Sequence, residues 1–201
     1  MPDDCFIAIV GPMFSGKSTR LLQEVNRRIR QGKRCAVFKP KIDNRYSDSQ
    51  IVSHDGDALS AVAIETGDDV IEYIVGNTVD VVAVDEAFMI PGVSAALAAA
   101  YLSGHEVIAA SIDISYAGKI LPEISKIVTW ATSVVKCTSV CEVCKKDARF
   151  THKKNVNQVE NEIVIGGEDL YEPRCRQHFP WASHLGLNLD VLREQHIKKE
   201  L

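Results

Sequence analysis

The sequence predicts an α/β protein: a P-loop-type, mainly parallel sheet with helices on both faces, followed by a small C-terminal metal-binding ribbon. Three observations predict it. Apolar runs of strand type alternate with stretches of helical period from Phe6 to Val135. The first run, Phe6–Val10, opens directly onto Gly11-Pro12-Met13-Phe14-Ser15-Gly16-Lys17-Ser18, which fits the phosphate-binding pattern G-x-x-x-x-G-K-[ST]. The remainder carries two paired ligand sets, Cys141-x-x-Cys144 and Cys175-x-x-His178.

The elements follow in order. After the glycine-rich loop, Leu21, Leu22, Val25 and Ile29 recur at helical spacing. Arg34–Phe38 reads as a second strand, closed by Pro40. Lys41–Asp57 is polar and without apolar period, long for a loop unless it has a function of its own. Ala61–Ile64 reads as a short strand. Asp68–Val75 reads as a helix, preceded by Gly67 and stopped by Gly76-Asn77. Val79–Val84 is a buried strand, Pro91–Leu102 an alanine-rich helix, Glu106–Ala110 a strand, and Ile127–Val135 the last strand. The pattern divides the chain into a nucleotide-binding domain over 1–136 and a metal-binding domain over 137–201.

The chemistry of the loop follows from its spacing. Glycines let the backbone curl closely around phosphates, and consecutive N–H groups converge on one anion at a helix N-terminus. Gly11, Pro12, Met13, Phe14, Ser15 and Gly16 form that cradle. Lys17 brings a point charge to the outer phosphates, and the Ser18 hydroxyl is placed to ligate Mg²⁺. Ligands of open α/β sheets bind at the carboxyl ends of the strands. There the strand Val79–Val84 runs straight into Asp85-Glu86. Asp85 is expected to share the Mg²⁺ with Ser18, and Glu86 to face the other side of the strand as a general base.

In the C-terminal third, Cys141, Cys144, Cys175 and His178 have the spacing of a Cys₃His Zn²⁺ site. Four protein ligands leave no open position, so the role is structural. Cys5, Cys35 and Cys137 lie in or beside apolar runs and read as core residues. Ile163–Tyr171, with its Gly166-Gly167 turn, reads either as a loop that covers a small substrate or as a plain hairpin.

Composition sets outer limits. Hydrophobic residues make up 46% of 201 residues, enough for a real core. The net charge of −4 and pI near 5.9 give no basic face for general nucleic-acid binding. No apolar run is long enough to span a membrane, and no signal peptide is expected from the acidic start Met1–Asp4. A cytosolic setting is expected, with reduced thiols.

Several motifs together resemble the type II, zinc-containing thymidine kinases over nearly the whole chain. They are G-P-M-F-S-G-K-S-T at Gly11–Thr19, K-P-K-I-D-N-R-Y at Lys39–Tyr46, S-H-D-G at Ser53–Gly56 and D-E at Asp85-Glu86. Further on come F-T at Phe150-Thr151, I-G-G-E-D-L-Y at Ile165–Tyr171 and C-R-x-H at Cys175–His178. The resemblance implies ATP-dependent phosphorylation of a deoxynucleoside 5′-hydroxyl, thymidine in the first place, for DNA-precursor salvage. It implies ATP, Mg²⁺ and structural Zn²⁺, a lasso loop closing over the nucleoside, and a homotetramer, while charge and composition lead us to expect no nucleic-acid or membrane partner. By matching position it assigns Gly11 to Ser18, Lys17 included, to the ATP phosphates, Glu86 as catalytic base, Arg45 near the transferred phosphate, and Asp43 beside Arg45. Met13, Tyr116, Thr151, Val164, Ile165, Gly166, Gly167 and Tyr171 fall on the nucleoside site. Departures also fall there: Phe88 stands for a glutamine, and Ile120-Leu121 for a proline and a phenylalanine. Two other readings stay open: a kinase for another deoxynucleoside, and an NTP-driven binding module with a zinc ribbon.

Overall fold

The computed structural model describes residues 5–43, 50–52, 58–154 and 166–180. Among them, six strands form one parallel sheet in the order β5-β2-β6-β7-β1-β8. These are β1 (Phe6–Val10), β2 (Cys35–Pro40), β5 (Val62–Ile64), β6 (Val81–Val84), β7 (Glu106–Ser111) and β8 (Ser133–Lys136). The first crossover, through α1 (Lys17–Arg30), carries the chain from β1 past β7 and β6 to β2. A hairpin of β3 (Gln50–Val52) and β4 (Ala58–Ser60) starts within the polar stretch that the sequence presents as a loop and ends just past it.

Period-two alternation sorts the strand side chains between two cores. Phe6, Ala8 and Val10 of β1 join Phe38, Val82, Val84, Val107 and Ala109 on one face. Val70 of α2 (Gly67–Gly76), Leu97 of α3 (Val93–Leu102) and Ile124 and Ile127 of α4 (Pro122–Trp130) cover that face. Ile9, Val37, Ala83, Ile108 and Ala110 point the other way, onto Leu21, Leu22 and Val25 of α1. The sheet therefore has helices on both faces, as its alternating pattern predicts.

The last helix and strand also differ from their sequence reading. The stretch 127–130 is the second half of α4, and β8 begins only at Ser133. Pro122 at the first helical position favours the helix start, and Ile124 and Ile127, three apart, share one buried face. The β-branched run Ile127-Val128-Thr129 mimics a strand only when read apart from the Pro122 start. The three unpaired cysteines also differ. Cys5, Cys35 and Cys137 are half-buried at the margin of the core.

At the N-terminal end of the sheet lies an ion network that no motif marks. Arg28 of α1 donates to Glu106 at 2.9 Å and to Glu24 at 2.6 Å, and Lys33 also reaches Glu106. Burial alone would lower the Arg28 pKa, but the two carboxylates more than offset it. The network joins α1 to the start of β7 and leaves the opposite end of the sheet for the site.

β8 leads into a small ribbon. Its first hairpin is β9 (Ser139–Val140) with β10 (Asp147–Ala148), and its second is β11 (Phe150–Lys153) with β12 (Tyr171–Arg174). Phe150 and Phe179 stack at 4.7 Å between ring centroids.

Candidate active site

The carboxyl ends of β6, β7, β1 and β8 lie side by side. β1 releases the chain into the glycine-rich loop. A Cβ at Gly11 would stand 2.5 Å from the Cys137 carbonyl oxygen, so the loop can leave β1 beside β8 only without a side chain there. Gly16, in the left-handed region at φ 73°, ends the loop and caps α1. Pro12 O accepts both from Ser15 Oγ, at 2.7 Å, and from Lys17 Nζ, at 2.7 Å. A cavity of about 400 Å³ opens beside the loop, between the first turns of α1 and the Val135–Thr138 segment at the end of β8.

β6 delivers the acids. Asp85 is buried, its N–H held by Phe38 O at 3.0 Å, and the Ser18 hydroxyl donates to its carboxylate. Burial first, and the neighbouring Glu86 charge second, push the Asp85 carboxyl up to about 7. Lys17 is buried too, and burial lowers its pKa while Glu86 and Asp85 oppose the change. Lys17, Ser18, Asp85 and Glu86 thus form one electrostatic unit, although one strand, β7, separates their parent strands. Asp85 and Ser18 together present a carboxylate and a hydroxyl, the hard oxygen donors that suit Mg²⁺.

Glu86 departs from the strand-alternation expectation. β6 ends at Val84, and Glu86 sits in the left-handed region at φ 48° and ψ 41°, heading a short 3-10 turn over Ala87–Met89. That turn aims its half-buried side chain, and extended alternation does not. Phe88 in the same turn is half-buried and packs against the core. Ser111, at the end of β7, ties the two halves together. Its carbonyl accepts from Gly11 N at 3.3 Å, and its hydroxyl accepts from Phe88 N at 3.3 Å. Sequence reading passes over Ser111, because its place between the loops depends on strand order and not on a motif.

The ribbon approaches the same loop. Met13 N donates to Thr151 Oγ1 at 3.0 Å, and Thr151 is buried. Tyr116 is buried beside Tyr171, with ring centroids 6.1 Å apart, and the Lys153 ammonium stands 5.2 Å from the Tyr116 ring centre. Gly167 starts the turn into β12: its carbonyl accepts from Leu170 N and Tyr171 N, and its N–H donates to Asp169. Gly166 is half-buried and packs closely against the Leu170 side chain. Of the two residues that depart from the family pattern before α4, Ile120 is exposed and Leu121 is in the core. Asp43 is buried. Arg45, Val164 and Ile165, with the Ser53–Gly56 motif, lie outside the described residues.

Cys141, Cys144, Cys175 and His178 come together with their ligand atoms within 4.8 Å of one another. Cys144 Sγ and Cys175 Sγ are 3.7 Å apart, and His178 Nδ1 is 3.6 Å from Cys141 Sγ and 3.2 Å from Cys175 Sγ. Tetrahedral Zn²⁺ with bonds of about 2.3 Å to sulfur needs S···S edges of about 3.8 Å, so the cluster fits that ion. Burial pushes the Cys141 thiol up, but the backbone N–H groups of Cys144, Cys175 and Val143 outweigh it and hold the thiol at about 6. Such a thiol is ready to ligate as thiolate near neutrality.

A phosphate loop, a strand-end acid pair and a Cys₃His ribbon in this arrangement match a known family. The thymidine kinase family model covers residues 5–179. The chain belongs to the thymidine kinase family. It is 36% identical over 180 residues to the thymidine kinase of Pyrobaculum aerophilum, covering 86% of this chain and 97% of that one. With the thymidine kinase of Thermococcus kodakarensis the identity is 35%, over 85% of this chain and 91% of the relative. A third relative, the thymidine kinase of Amsacta moorei entomopoxvirus, is 34% identical over 84% and 93% of the two chains. Among solved structures, the Legionella pneumophila ATPase DotB overlaps at a TM-score of 0.44 and 16% identity, over 73% of this chain and 44% of that one. Family membership makes the chain a nucleoside-phosphorylating enzyme that uses ATP. No helix among the described residues is long and apolar enough to cross a membrane.

Proposed function

We propose that this enzyme transfers the γ-phosphoryl group of ATP to the 5′-hydroxyl of thymidine. The observation that carries the reading is the convergence of Lys17, Ser18, Asp85 and Glu86 at one end of the sheet, within a chain of this family. The loop Gly11–Ser18 holds the ATP phosphates, with its N–H groups from Gly16 onward directed at them at the head of α1. Lys17 leaves Pro12 O for the outer phosphates, and its burial strengthens that attraction. Ser18 and Asp85 would hold Mg²⁺, which neutralises phosphate charge when bound. Glu86 accepts the proton of the 5′-hydroxyl. The freed oxygen forms its bond to the γ-phosphorus as the bond to the bridging oxygen breaks, and ADP leaves. Arg45 stabilises charge on the moving group.

The nucleoside lies between the Met13 and Phe88 side and the ribbon, against Tyr116, Thr151, Tyr171 and the loop through Val164, Ile165, Gly166 and Gly167. Zn²⁺ on Cys141, Cys144, Cys175 and His178 would hold the ribbon's two hairpins together as a structural ion. Assembly as a homotetramer and a cytoplasmic location belong to the same reading.

ADP release from ATP should require a nucleoside, and among nucleosides thymidine should give the highest kcat/KM. Phe88 offers an apolar face where a polar partner would reject wrong bases strongly. Deoxyuridine and deoxycytidine are therefore expected to be turned over measurably, and Phe88→Gln to sharpen the preference for thymidine. ATP hydrolysis indifferent to nucleosides would replace this reading with that of an NTP-driven binding module.

A further inference from the structure

Two side chains of the ribbon reach the phosphate loop across separations of 125 and 138 residues. Ser139 Oγ, on β9, donates to Phe14 O at 2.9 Å. Thr151 Oγ1, on β11, accepts from Met13 N at 3.0 Å. One bond comes from each hairpin, and each of the two hairpins also brings ligand residues to the Cys₃His cluster. The bonds fall on successive loop residues. One of them, Phe14, is in the left-handed region at φ 60°. That conformation is unfavourable for a residue with a Cβ, and it persists only when its surroundings fix it. The loop's own side chains, Ser15 and Lys17, both bond to Pro12 O and leave Met13 N and Phe14 O to the ribbon. Two residues further on, Gly16 begins the N–H groups at the head of α1.

We propose that Ser139, with Thr151, is a positioning residue for the phosphate loop: the ribbon clamps Met13–Phe14 and so sets the aim of the N–H groups that receive the ATP phosphates. The ribbon then serves the ATP side of the reaction as well as the nucleoside side. The inference rests on the kinase reading for its kinetic test, but nucleotide binding reads it independently.

The test is Ser139→Ala in the full chain, with Ser139→Thr as the conservative control. One net hydrogen bond corresponds to an increase of about threefold to tenfold in the ATP KM and in the Kd of a fluorescent ATP analogue. The thymidine KM and the Tm should stay near wild type, and Ser139→Thr should restore nucleotide binding. Phe14→Gly removes the left-handed cost, so adding Ser139→Ala in that background should weaken nucleotide binding less than it does in wild type. An unchanged nucleotide Kd in folded Ser139→Ala would overturn the proposal. So would equal rises in both KM values with a lowered Tm, which mark a merely structural role. Hydrogen exchange on the wild-type chain needs no variant: the Met13 amide should be protected before nucleotide is added, and a freely exchanging amide would also overturn the clamp. Should the kinase reading fail, nucleoside dependence would vanish while the Ser139 effect on nucleotide Kd remained.

Discussion

Glu86 combines a left-handed backbone with a half-buried side chain, its Oε2 buried, next to buried Asp85 and Lys17. A residue other than glycine holds that conformation only where packing over-determines it, here between the end of β6 and the turn through Met89. Glu86→Gln keeps the shape and removes the basicity. It is expected to leave the ATP-analogue Kd within about twofold and to lower kcat on the order of 10²-fold, the usual size of general-base catalysis. Turnover near wild type in steady-state assays would make Glu86 a structural acid. The residues of this site differ in how legible they are. Gly11–Ser18 and Asp85-Glu86 are contiguous, so spacing alone exposes them. Ser111 and Ser139 bond through tertiary neighbours, and an isolated serine near an apolar run carries no sign of it. The left-handed turn at Glu86 was illegible for a similar reason: glycine normally announces such a backbone, and no glycine stands there.

At the scale of elements, the entrance to the sheet depends on a pairing between β2 and β6. Asp80, just before β6, accepts from Arg34 N at 2.8 Å and from the Arg34 guanidinium at 2.7 and 2.8 Å, just before β2. Arg34 holds the Asp80 carboxyl well below the usual carboxylate range. A depressed folded value means the pairing stabilises the protein fully above the unfolded pKa of about 3.9, begins to weaken as pH falls below it, and is lost only as pH falls through the lower folded value. Asp80→Asn should therefore lower Tm at pH 7, with the gap to wild type starting to narrow as the melt is repeated from pH 5 toward pH 3. Both side chains are partly exposed, so added salt should narrow the gap as well. A gap independent of pH would assign the effect to backbone capping by the side chain alone. Sheet and helices were legible where an apolar period ran uninterrupted, as in β1, β6, β7 and α1. They were not where two signals met, as in α4, whose β-branched end reads as strand until its Pro122 start and the Ile124–Ile127 face are counted. The β3–β4 hairpin is too short and too polar in its surroundings to announce itself.

For the whole molecule, the sheet and the ribbon meet at the phosphate loop. β8 pairs with β1, Cys137 N donates to Val10 O at 2.7 Å, and the chain passes straight into β9 and the first cysteine pair. Among the described residues, the hydrophobic cluster at the ligand site is small: Cys141, Ala148 and Cys175, with Cys144 packed beside them, while Thr151, Tyr171 and Phe179 are buried elsewhere in the ribbon. So small a core does not order its hairpins without a staple, and a metal on the four ligands supplies one. Stripping that metal is expected to loosen both hairpins at once, withdrawing Thr151 and Tyr171 from the nucleoside side and Ser139 and Thr151 from the phosphate loop. The expected signature of His178→Ala, or of a strong chelator, is therefore a rise in both KM values, accompanied by loss of about one equivalent of Zn²⁺ per chain in metal analysis. The parallel sheet should keep its far-UV circular dichroism, since β1, β6 and β7 draw their packing from α1, α3 and α4. Thiolate and imidazole must both be deprotonated to bind, so acid should release the ion and reproduce the kinetic change. A nucleoside KM that rises while the ATP KM stays fixed would confine the ribbon to covering the nucleoside. Metal-free protein with wild-type kinetics would remove the ion from the site's architecture altogether.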